Sequence, residues 1–123
     1  MIYGLSKNER LHSKKSIQEL FDKGSSFFLY PFKVLHLPID NRGIETNVVL
    51  FSVSKRKIKN AVDRNYVKRR IKEAYRLNKS LLSSPERPSR NMIGLIYVSS
   101  ELQDFHTIEK KIQKVLKRIA QSK

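Results

Sequence analysis

Cysteine and tryptophan are absent from the 123-residue chain. Without thiols there is neither a disulfide framework nor a thiolate metal centre, a usage that suits a reducing compartment, and the cytoplasm is the expected location. The four glycines, at positions 4, 24, 43 and 94, stand singly, so no glycine-rich phosphate loop can form. No apolar run approaches the length of a bilayer span, and the N-terminal MIYGLSKNERLHSKK lacks the apolar centre of a signal peptide, so neither membrane insertion nor secretion is expected. Acids are scarce: 11 Asp and Glu face 26 Lys and Arg, for a net charge of +15 and an isoelectric point near 10.3. That balance implies salt-sensitive binding to a polyanion and a free chain strained by self-repulsion.

What is present is concentrated in Val53 to Lys79, VSKRKIKNAVDRNYVKRRIKEAYRLNK, where eleven Lys or Arg oppose only Asp63 and Glu73. From about Asn60 the sequence has helical period, with Val67, Ile71, Ala74, Asn78 and Leu81 on one stripe, broken only by Asn78. At about 100° per residue, Arg64, Lys68, Lys72 and Arg76 form an i, i+4 ladder, with Asn65 and Arg69 beside it. Like charges four apart on a helix repel. A solvated face normally mixes both signs, so a one-sign ridge reads as the footprint of a nucleic-acid binder.

The order of residues in this stretch is similar to the signature of the bacterial ribonuclease P protein subunit. The residues that carry the likeness are Val53-Ser54-Lys55, Ala61-Val62-Asp63-Arg64-Asn65, Lys68-Arg69 and Ile71-Lys72-Glu73-Ala74-Tyr75-Arg76. Chain length, basic balance and the flanking elements extend it over roughly Leu11 to Ala120. Two positions depart from the pattern: Tyr66 replaces the second Arg of the usual Arg-Asn-Arg, and Lys59-Asn60 stands where a glycine is frequent.

Elsewhere the chain reads as a single RNA-binding domain over 1–123, with a mobile basic arm at 1–10. Ser13 can cap a helix over Lys14 to Lys23 that Gly24 stops. In FFLYPFKVLHL, Pro31 breaks the pattern and leaves a firm strand over about Phe32 to Pro38. Asp40-Asn41-Arg42-Gly43 is turn chemistry and Thr46 to Ser54 is apolar on both faces, which predicts a hairpin with a buried second strand. Ser83 to Arg90 is a loop, and Met92 to Val98 is a central strand. Asp104 or Thr107 caps a last helix with Ile108, Ile112, Val115, Leu116 and Ile119 inward and Lys110, Lys111, Lys114, Lys117 and Arg118 outward. The expected fold is an α+β sandwich of one small mixed sheet with helices, in the order α-β-β-α-β-α. The resemblance adds a short further strand and a left-handed βαβ crossover.

A hydrolytic site needs clustered carboxylates or a histidine pair, whereas the acids here are dispersed and His12, His36 and His106 lie far apart. No catalytic residue, no metal ligand and no cofactor of the protein itself is therefore expected. In the resembled family the RNA subunit is catalytic and binds the Mg²⁺, while the protein grips that RNA and the 5′ leader of precursor tRNA. On this chain the implied contacts to the catalytic RNA are Lys55, Arg56, Lys57, Arg64, Asn65, Lys68, Arg69, Lys72 and Arg76, and the positions matching the leader cleft are Ile17, Phe21, Phe32 and Leu35. The last of these is aromatic in many relatives, and Tyr30 can compensate. Ile17, Phe21 and Phe32 are equally readable as plain core. The implied partners are the catalytic RNA and precursor tRNA, with no membrane and no obligate protein partner. The competing readings are a ribosomal or ribosome-assembly protein, a dimeric DNA-binding regulator, which lacks the mix of base-reading side chains, and a membrane-surface helix, whose apolar stripe the core already needs.

Overall fold

The computed structural model describes residues 14–38, 47–82 and 91–121. The chain runs α1 (Lys14–Lys23), β1 (Ser25–Leu29), β2 (Phe32–Pro38), β3 (Val48–Val53), α2 (Ala61–Asn78), a 3₁₀ turn (Lys79–Leu82), β4 (Asn91–Tyr97) and α3 (Phe105–Gln121). The expected mobile arm at 1–10, the expected Ser13 cap, the expected turn at 40–43, the expected loop at 83–90 and His12 all lie outside the described residues.

The sheet order is β1-β2-β4-β3. The expected hairpin of β2 with β3 is overturned: β4 lies between them, antiparallel to β2 and parallel to β3. The hairpin partner of β2 is instead β1, across Tyr30-Pro31. Pro31 thus marks a turn between two strands, and the segment before it, read only as a broken approach to β2, is a strand. Two parallel neighbours need a crossover, and α2 supplies it, making β3-α2-β4 a βαβ unit.

Strand side chains alternate, so the sheet has two different faces. One carries Phe32, Val34, Val49, Phe51, Val53, Ile93, Leu95 and Tyr97 into the main core beneath α2 and α3. The other carries Leu35 and Met92, which pack on Leu20 of α1, with Ile17, Leu37, Val48, Leu50 and Ile96 at the margin. The apolar stripes of the helices are where the periodicity puts them: Val67, Ile71 and Ala74 of α2, joined by Tyr75, and Ile108, Ile112, Val115, Leu116 and Ile119 of α3 are all buried. The polar interruption at Asn78 ties the two helices together. Its side-chain N–H donates to the Ala74 carbonyl (2.8 Å) and to Glu109 (2.9 Å), and its oxygen accepts from Gln113 (3.0 Å). Asp104 is the α3 cap, accepting from the Thr107 N–H at 2.8 Å, and hydrogen bonds from the Thr107 hydroxyl and that N–H hold its carboxyl below the usual range.

Helix α1 is seated by two glycines. The Gly24 N–H closes the helix on the Leu20 carbonyl (2.9 Å), and a Cβ at Gly24 would sit 2.5 Å from that oxygen and 3.2 Å from the His36 carbonyl. Gly94 lets Leu20 and Leu35 meet over β4, where an added Cβ finds contacts of 3.4 to 3.7 Å. Gly24→Ala should therefore lower stability by about 1–3 kcal/mol, because backbone oxygens cannot step aside. Gly94→Ala should cost clearly less. Thermal unfolding of both variants checks the order.

Candidate nucleic-acid interface

The site begins where β3 ends. The Ser54 N–H donates to the Tyr97 carbonyl (3.0 Å) and the Ile58 N–H returns to Ser54 (3.0 Å), while Ile58 is buried. A tight turn pinned at both ends leaves Lys55, Arg56 and Lys57 no choice but solvent, and all three are exposed. Asn60 then caps α2, its Oδ1 accepting from the Val62 N–H at 2.8 Å. The positive end of the helix dipole adds to this cluster.

Along α2 the buried residues fix which arc is free. Arg69 projects almost directly opposite Val67, Ile71, Ala74 and Tyr75 at about 100° per residue, with Asn65, Lys72 and Arg76 next to it. An i, i+4 ladder drifts by about 40° per step, so the row from Arg76 back to Arg64 ends at the rim of the buried face. Arg64 accordingly has a structural task that periodicity does not disclose. Its Nη1 donates to the carbonyls of Ile58 (2.9 Å) and Lys59 (2.8 Å), bracing the turn that displays Lys55 to Lys57. Arg76 pairs with Glu73, its Nε 3.1 Å from Oε1, and this bond holds the Glu73 carboxyl low. Lys72 stands over the Phe51 ring, 6.0 Å from its centroid. Asn65 and Arg69, at the centre of the arc, are exposed and Lys68 is partly so.

The second expected site divides. Ile17, Phe21 and Leu35 share the α1 side of the sheet, but Phe32 does not. It is 0% exposed in the main core, its ring edge-on to Tyr97 at 5.6 Å, so it leaves the cleft. The parity of the strand forces this, since positions 32 and 35 differ by an odd number and point to opposite faces. Leu35 is 5% exposed beneath Leu20 and offers little surface, whereas Phe21 is 47% exposed. Beyond α1 the register lines up Phe28, Lys33, Ile96 and Ser52 in one row across all four strands on the same face. Phe28 and Lys33 are exposed, giving an apolar floor with a cation in it that the sequence reading missed. Tyr30, whose ring lies 6.3 Å from that of Phe28, is held by a 2.8 Å bond between its hydroxyl and that of Ser99.

Among the described residues no three His, Asp or Glu side chains gather as metal ligands, and no helix is long and apolar enough to cross a membrane. His36 is buried beside Phe27, and its pKa is lowered by burial and by Arg118. His106 is exposed at the start of α3.

The geometry has counterparts of known identity. The Ribonuclease P family model matches residues 5–120. The chain is 42% identical over 120 residues to the ribonuclease P protein component of Porphyromonas gingivalis W83, covering 96% of this chain and 88% of that one. It is 32% identical over 122 residues to the corresponding component of Clostridium novyi, covering 93% and 96%. Among solved structures, the RNase P protein of Thermotoga maritima superposes with a TM-score of 0.73 at 27% identity, covering 90% of this chain and 97% of that one. That of Staphylococcus aureus gives 0.70 at 28%, covering 95% and 93%. Fold, basic crossover helix and relatives agree: the chain belongs to the ribonuclease P family, as the protein component of that endoribonuclease.

Proposed function

We propose that the chain binds the catalytic RNA through the exposed arc of α2 and the turn before it, and the 5′ leader of precursor tRNA through the sheet face beside α1. The observation that supports the first contact is the predominantly basic arc around Arg69, with Asn65, Lys68 and Lys72 on it, Glu73 its one acid, and Lys55, Arg56 and Lys57 at its head. Guanidinium groups fork phosphate oxygens, and an amide donates to phosphate or a 2′-hydroxyl. The second contact is supported by exposed rings at Phe21 and Phe28 with Lys33 between strands, the mix of stacking surface and charge that single strands require. Hydrolysis, with its Mg²⁺, is the RNA subunit's. The protein's part is to offset repulsion between two polyanions and to hold the leader while the RNA cuts it. The cytoplasm, where both RNAs are made and used in a bacterium, is the proposed location.

Two experiments separate the surfaces. Arg69→Ala should weaken binding to the catalytic RNA and reduce the magnitude of the salt slope by about 0.7–0.9, with thermal stability intact, and Lys should restore it only in part. Arg64→Ala should weaken binding and also lower stability, because it frees two turn carbonyls. Affinity and slope unchanged in Arg69→Ala would place the RNA contact elsewhere.

Phe21→Leu should lower affinity for precursor tRNA by about 1–3 kcal/mol per base unstacked, without affecting mature tRNA or the catalytic RNA. Phe32→Leu should instead lower the thermal midpoint, since it removes an edge-on aromatic pair of about 0.5–1.5 kcal/mol, with no preference among ligands. Equal losses for precursor and mature tRNA in Phe21→Leu would remove the leader assignment.

A further inference from the structure

Tyr66, the residue that departs from the family pattern, occupies the flank of the α2 arc that faces α3. Large aromatic side chains on helices normally turn into the core, yet this one is 44% exposed among the cations. It is also held from behind. The Arg70 guanidinium lies over one face of the ring, 4.0 Å from the centroid, and is itself anchored, its Nη1 donating to the Gln103 carbonyl at 2.8 Å. Its Nη2 donates to the Tyr66 hydroxyl. One face of the ring is thus covered by a fixed cation, and Val62, one turn earlier on the same flank, is exposed.

We infer that Tyr66, backed by Arg70, is a stacking platform for an unpaired nucleobase of the catalytic RNA, an inference that rests on the α2 arc being the interface with that RNA. Three points converge on this occupant. Tyr66 lies about 60° around the helix from Arg69, so the ring is within reach of the base of a nucleotide whose phosphate meets Arg69. A base has a π-face to lay on the tyrosine and over Val62, and a cation on the opposite ring face strengthens a sandwich of this kind. Finally, Arg70 has no acceptor to take the hydroxyl proton of Tyr66, which is left to donate to a base edge or a phosphate oxygen. A duplex offers no such face, since its bases are stacked on one another. Where an arginine at position 66 would offer a charge to any phosphate, the tyrosine offers a contact that demands an unpaired base. The salt dependence of binding distinguishes the two, because stacking releases no counterion.

The test uses the full chain and its ribonuclease P RNA. Tyr66→Leu should weaken binding roughly tenfold, within the range of one stacked base, and leave the salt slope unchanged, while Tyr66→Phe should retain most of the affinity. Because the chain has no tryptophan, Tyr66→Trp places a sole indole at the platform. Its emission should be quenched and shielded from iodide by the ribonuclease P RNA but not by a fully paired RNA of matched charge. Wild-type affinity in Tyr66→Leu, losses in Tyr66→Phe equal to those in Tyr66→Leu, or an indole unquenched at saturating RNA would each overturn the platform. Arg69→Ala reports on the parent reading separately: if it alone weakens binding, the interface stands and the platform falls, and if neither weakens it, both fall.

Discussion

Strand β4 is paired on both edges and packed on both faces, and the placement of every other element follows from that. Its seven residues hold β2 antiparallel on one side and β3 parallel on the other. A parallel partner cannot be reached by a tight turn, so the chain between β3 and β4 must cross the sheet, and it does so as α2. The inward stripe of α2 is consumed by the core, with Val67, Ile71, Ala74 and Tyr75 buried against the sheet and α3. The opposite arc is then turned to solvent by necessity. The basic residues of the longest helix are displayed because the sheet requires a crossover there.

That display costs stability, and the structure shows how it is contained. Arg64 turns back to two carbonyls of its own turn, Arg70 to Tyr66 and Gln103, and Arg76 to Glu73. Each is an arginine whose planar fork reaches an internal acceptor while keeping its charge. Among the described residues Lys68 and Arg69 make no ion pair that would offset their charge. Part of the basic face is thus offset internally and part is left without a counter-charge, the arrangement expected of a surface completed by an anionic partner.

The helices were legible in the sequence because their signals are local. The ten residues of α1, the capped start of α3 and both apolar stripes follow from spacing and capping chemistry alone. Sheet order was not, since a turn-like DNRG between two apolar runs predicts a hairpin, and only the long-range pairing of β4 reveals that those strands are not neighbours. Pro31 concealed β1 for a related reason: a residue that cannot donate reads as a break, when here it sits at the turn between two strands. The misplacement of Phe32 had a signal that resemblance overrode, the odd spacing from Leu35. Nothing local marks Arg64 as a brace or Phe28 and Lys33 as neighbours on an open face, because those facts depend on where the chain returns. Composition alone led as far as a polyanion, and the resemblance through Arg64-Asn65 and Lys68-Arg69 led to which one.

RNA is proposed to meet the α2 arc rather than merely any basic surface, and the chain carries its own control. Helix α3 presents a second exposed row, Lys110, Lys114 and Lys117, on an element with no crossover role. Lysine acetylation of the full chain, with and without saturating ribonuclease P RNA, read residue by residue by mass spectrometry, compares the two directly. The account predicts strong protection of Lys55, Lys57 and Lys68 with Lys110, Lys114 and Lys117 still reactive. Protection of the α3 row with Lys55, Lys57 and Lys68 unchanged would contradict it.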